Sequence, residues 1–178
     1  MVRLSPIMQK FILHWGEMGT RWGVNRTVAQ VHALLYVSPE PLSAEAIAAT
    51  LSVARSNVSN SLRELQGWGI IKAVHVLGDR REHYESLQDV WQMFQIVLNE
   101  RKRREIDPTV KLLRECVADL EQGKTADAQT KQRLSEMLKF FEDGLTCYED
   151  VSRLSVSQWR KLAHTRGKMQ KLLSLVGR

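Results

Sequence analysis

Apolar residues recur along most of this chain at three- and four-residue spacing, the period of helices that bury one side. Together with the start signals, that spacing predicts helices near 6–20, 26–37, 44–51, 54–67, 88–105, 108–122, 128–150 and 156–176. Ser5-Pro6 and Asp107-Pro108 each place a capping side chain before a proline, whose missing N–H costs nothing in a first turn. Ser155 with Gln158 has capping-box spacing, and Ser86 with Asp89 resembles it. One segment breaks the helical period. "IIKAVHV" (70–76) and "REHYES" (81–86) are rich in β-branched and aromatic residues and flank "LGDR". They predict a two-stranded hairpin with Arg80 and Arg81 at its tip. His75 and His83 are placed to meet across it, although packing is the plainer role for both. The fold class is mainly α with a small β-hairpin.

The stretch "LSVARSNVSNSLRELQGWGII" (51–71) stands just before that hairpin. On a helix, Val58, Leu62 and Leu65 share one face. Arg55, Ser56, Ser59, Asn60 and Arg63 fall away from it, and Asn57 is counted with them. The preceding "SAEAIAATL" makes another short helix, with Ser43 as its cap and Ile47, Ala48 and Leu51 as its stripe. Two short helices joined by a tight turn are the layout of a helix-turn-helix. The chemistry fits: arginine can bond both acceptors of guanine, asparagine can pair with adenine, and serine hydroxyls can hold phosphates. A solvated surface is the commoner meaning of such a face on a lone helix. The hairpin that follows narrows the choice, because helix, turn, helix and hairpin in that order make a winged helix-turn-helix. Arg80 and Arg81 would then meet the flanking backbone or minor groove. Between Arg55 and Glu85, five basic residues are set against Glu64, Asp79, Glu82 and Glu85, so any positive surface must come from arrangement.

"LSAEAIAATLSVARSNVSNSLRELQGWGII" followed by "VHVLGDRREHYE" resembles the MarR superfamily of winged-helix regulators, and "HWGEMGTRWGVNRTVAQVHALLYVSPEPL" resembles its GbsR subgroup. The likeness spans roughly residues 11–90. It implies a dimeric, sequence-specific transcriptional regulator of double-stranded DNA, with repression the expected sign and a pseudo-palindromic operator. It also implies that Asp79 holds Arg81 at the wing tip. Ser52 and Ala54 depart from the family's usual glycine and capping residue. The domain reading is 1–90, an N-terminal helix with the winged core, and 91–178, a helical dimerisation and regulatory region. Apolar stripes at Leu112, Leu113, Val117 and Leu120, and at Leu134, Met137, Leu138, Phe141 and Leu145, are candidates for the dimer contact.

Composition adds limits. The 178 residues carry a net charge of +6, which permits a polyanionic partner without demonstrating one. There is no apolar run long enough for a membrane span and no signal-peptide core, and the two cysteines, Cys116 and Cys147, make no metal-ligand spacing. The expectation is a cytoplasmic protein with reduced thiols. No phosphate loop, nucleophile motif or metal cluster points to an enzyme, a cofactor or a metal. His14 and Glu17 share a helix face, as surface residues commonly do. From Ser155 onward, Arg160, Lys161, Arg166, Lys168, Lys171 and Arg178 supply six positive charges with no acid among them. Trp15, Trp22 and Trp91 fall near the junction of the first helix with the winged core. Core packing is their plainer role, but aromatic faces can cage a quaternary ammonium ion. With the GbsR likeness, a choline-like effector becomes a third expected partner beside DNA and a second copy. The competing reading is a protein-interaction module that uses the winged core and the basic helix without DNA readout.

Overall fold

The computed structural model describes residues 3–123, 128–155, 157, 158 and 161. The chain divides into two compact units, Met1–Val97 and Leu98–Arg178. The first begins with α1 (Pro6–Arg21), capped by Ser5, whose Oγ accepts the Met8 N–H at 3.2 Å. Asn25 caps α2 (Arg26–Val37) in the same way, through the Thr27 N–H at 2.8 Å. Gly19 sets how closely α1 can lie on α2: a Cβ there would stand 2.5 Å from the Ala29 Cβ. β1 (Leu42–Ser43), α3 (Ala44–Leu51), α4 (Arg55–Trp68), β2 (Ile71–Val74), β3 (His83–Ser86) and α5 (Val90–Arg101) follow. Val31, Leu34 and Leu35 of α2 meet Ile47 of α3, Val58, Leu62 and Leu65 of α4, and Ile70 and Ile71 in one buried core.

The sheet has three strands, not the two the sequence predicts, in the antiparallel order β1-β3-β2. Leu42 lies opposite Tyr84, and Ser43 opposite His83. A two-residue strand carries no alternation to read. β2 stops at Val74, which faces His83. Beyond it the chain turns, with the Asp79 N–H donating to the Val76 carbonyl at 3.1 Å and Gly78 at φ +86°. His75 therefore lies past the paired rungs and does not meet His83. Ser86 is not a helix cap either. It ends β3 in the interior, and Asp89 caps α5 by accepting the Trp91 and Gln92 N–H groups at 2.9 and 3.1 Å.

In the second unit a π-helical turn (Lys102–Ile106) leads directly into α6 (Asp107–Glu121), and α7 (Ala128–Ser152) packs beside α6. Asp107 is thus not the cap its Asp-Pro signal suggests. The backbone is already helical at Ile106, and the Asp107 carboxylate pairs with Lys102 at 2.7 Å. The widened turn stands just before Pro108, whose ring would crowd the carbonyl of Arg104 in a regular helix. Arg114 ties α6 to Glu142 of α7 at 2.9 Å. Val110 and Leu113 are buried, while Leu134, Leu138, Phe141 and Leu145 are half-buried. Leu112 and Met137 are exposed and do not belong to the packed stripes. Leu112 directly adjoins Leu113, so a helix turns it away by about 100°. The Ser155–Gln158 capping box is present in both directions, at 2.7 and 3.3 Å. The helix expected over 156–176, with its basic residues, lies outside the described residues except for 157, 158 and 161. Among the described residues no helix is long and apolar enough to cross a membrane.

Candidate DNA interface

The helix pair is set by local chemistry. Ser43 Oγ accepts the Ala46 N–H at 3.3 Å and starts α3. Ser52 ends it in the left-handed region, φ 55° and ψ 43°, where glycine is the usual residue. Ser52, Val53 and Ala54 lead into α4, whose cap position, Ala54, supplies no side-chain acceptor. Gly69 at φ +78° releases the chain from α4 toward β2.

The two sides of α4 differ sharply. Val58, Leu62 and Leu65 are at most 2% exposed. At ~1.5–3 kcal/mol for each side chain fully buried, they fix the helix to the body. Ser56, Asn60 and Arg63 stand on the opposite side and are exposed. Arg63 donates to the Asn60 side-chain carbonyl. Asn57 occupies one shoulder, where it lines a polar cleft with Asn25, Thr27, Asn60 and Glu64. Arg55 and the half-buried Ser59 occupy the other. There Arg55 forms an ion pair with Glu45 of α3 at 2.6 Å. Sequence reasoning missed Glu45, which reads only as an acid in a first helical turn.

The wing is held by its own carboxylate. Asp79 accepts the Arg81 backbone N–H at 3.0 Å and its Nε at 2.9 Å, and pairs with the guanidinium end as well. These bonds hold the Asp79 carboxyl well below the usual carboxylate range, with the Arg81 side chain the main cause. His83 Nδ1 donates to the Arg81 carbonyl at 3.0 Å, and its Nε2 lies 3.5 Å from Asp79. Arg80 is exposed beside this arrangement. At the base of the sheet, Lys72 and Glu85 pair across β2 and β3 at 2.8 Å.

Behind the interface, His32 of α2 is buried and shares a 3.3 Å hydrogen bond with Ser86 Oγ. Burial lowers its pKa to about 4. Nothing in "AQVHALL" marks this histidine as an interior link between α2 and β3. An apolar cavity of about 80 Å³ opens nearby, lined by Trp15, Met18, Trp22, His32 and Trp68 among others. Trp68 is the third tryptophan of this lining; Trp91 is not part of it. Cys116 is half-buried and Cys147 exposed, both as free thiols.

Residues 22–82 match the family model described as MarR family. Among curated proteins, the chain is 26% identical to YvaV of Bacillus subtilis (strain 168), named as an HTH-type transcriptional regulator, over 81% of this chain and 82% of the relative. It is 21% identical to the HTH-type transcriptional repressor OpcR of the same organism, over 75% of this chain and 74% of that one. A crystal structure described as a transcriptional regulator has the same fold, with a TM-score of 0.64 at 24% identity over 83% of this chain and 96% of that one. The segment that matches the family model folds into α2, the helix-turn-helix and the first strand and turn of the wing, and so the winged core of this chain is similar to the winged helix-turn-helix of the MarR family.

Proposed function

We propose that the protein is a sequence-specific DNA-binding transcriptional regulator, a repressor, that acts in the cytoplasm as a homodimer on a pseudo-palindromic duplex site. One observation carries the reading. The apolar side of α4 is spent on the core, while the side bearing Ser56, Asn60 and Arg63 is left uncovered by the described residues. A helix so mounted can lie in a major groove, with Arg63 and Asn60 reading base edges and Ser56, Ser59, Asn57 and Arg55 meeting phosphates or neighbouring bases. Arg80 and Arg81 reach the flanking backbone or minor groove, with Asp79 fixing Arg81. In this reading residues 1–90 read DNA and 91–178 assemble the dimer.

The dimer is supported by apolar surface. Phe140 is 73% exposed, and Leu112 and Met137 are exposed as well. Such residues in number favour burial against a second copy. The cavity beside Trp15 and Trp22 is the place in this reading for a small-molecule effector. Selection of bound duplexes from a random pool tests the whole. A two-fold symmetric enriched site with half-sites about one helical turn, ~34 Å, apart supports it. No enrichment at any salt concentration contradicts it and favours the protein-docking alternative.

A further inference from the structure

The groove between the start of α3 and the turn end of the wing holds an unexpected charge. Ser43, Glu45, Ala46, Arg81 and His83 are among its walls. A helix start presents N–H groups and a positive dipole end, and here two arginines flank it. Those are the surroundings a DNA phosphate would find favourable. The protein places its own anion there. The Glu45 carboxylate pairs with Arg55 at 2.6 Å, and its charge also acts on Arg81. Glu45 is drawn below its usual pKa, first by its own backbone N–H and then by Arg55. It is therefore ionised wherever DNA binding would be measured. Other cations of this face are paired too, Lys72 with Glu85 and Arg81 with Asp79, but those acids lie in the sheet or wing alongside their partners. Glu45 alone among these acids reaches from α3 to the reading helix.

We infer that Glu45 restrains DNA binding: it holds Arg55 in an ion pair that any duplex must displace, and so weakens binding to operator and arbitrary sequence alike. An exposed pair of this kind is worth little in folding. Its weight falls on recognition instead. On arbitrary DNA, Arg55 gains a phosphate and loses a carboxylate, and Glu45 is left facing the polyanion. On the operator, base contacts from Arg63 and Asn60 offset that loss. The cost is common to both duplexes, so it lowers the affinity for each and cancels from their ratio.

This inference rests on the DNA-binding reading above, and its test separates the two. Fluorescence anisotropy would follow the wild type, Glu45→Gln, Arg55→Ala and the double variant on the selected duplex and on a scrambled one, across a salt series. Glu45→Gln is expected to tighten binding to the scrambled and the selected duplex by a similar factor, roughly three- to tenfold, with the specificity ratio unchanged. On both duplexes the log–log salt slope should grow more negative, by up to about 0.9, as Arg55 meets its phosphate without a carboxylate beside it. On the Arg55→Ala background the same substitution should tighten binding far less on either duplex. Tightening confined to one duplex, weaker binding, or an equally large effect on the Arg55→Ala background would overturn the inference. A wild type that binds no selected duplex removes the DNA-binding reading and this inference together. A wild type that binds, with Glu45→Gln unchanged, removes the inference alone.

Discussion

In the winged unit, α2 buries Val28, Ala29, Val31, His32, Ala33, Leu34 and Leu35 along twelve residues. In the helical unit, α7 runs for 25 residues and none of its described residues is buried. The first helix is apolar nearly all round and sits inside a closed core. The second is apolar along more than one line, with Leu138 and Phe141 half-buried and Met137 and Phe140 turned to solvent. The lesson is physical: a unit with a closed core carries its own folding energy, whereas a helical unit with exposed Phe and Met gains most by burying them in an assembly.

The comparison can be broken first in the winged core. Leu62→Ala removes a side chain only 2% exposed, and should cost about 2–5 kcal/mol in urea unfolding. A cost below ~1 kcal/mol would mean the core is not closed. Next comes pH. His32 has a folded pKa of about 4, below its ordinary value of 6.5, so protonation favours the unfolded chain. Its contribution is complete above pH 6.5 and is lost as pH falls toward 4, by roughly 3 kcal/mol in all. Stability measured over that window should fall in the wild type and fall less in His32→Gln. Arg63→Ala sharpens the contrast between folding and function. It should leave urea unfolding within about 0.5 kcal/mol and weaken operator binding by about 1–3 kcal/mol, with relaxed base preference. The smallest effect on chain stability belongs to Phe140→Ser, within about 0.5 kcal/mol at high dilution. Sedimentation should nonetheless find weaker self-association. Unaltered association would move the assembly surface away from α7.

Much of the winged unit was legible because its signals are local. Ser5-Pro6, the spacing of Val58, Leu62 and Leu65, and the β-branched run before Gly78 each depend on neighbours a few residues apart. What stayed hidden depends on residues distant in sequence. β1 exists only because Leu42 and Ser43 meet Tyr84 and His83. Ser86 looked like a cap because its partner, His32, lies 54 residues away. Asp107-Pro108 carried a start signal that the π-helical turn absorbed without ending the helix. At the interface, spacing alone separated the two faces of α4. The Glu45–Arg55 pair was not visible, because only the turn between α3 and α4 brings those side chains together.

The exposed side of α4 is the centre of the account, and site-specific cross-linking tests it most directly. A photoreactive residue at Asn60, with a second protein carrying it at Phe140 as the control, would be irradiated on the enriched duplex. The account predicts that the probe at 60 joins a base within the half-site and that the probe at 140 joins none. A duplex that stays bound yet never cross-links from position 60 would contradict it.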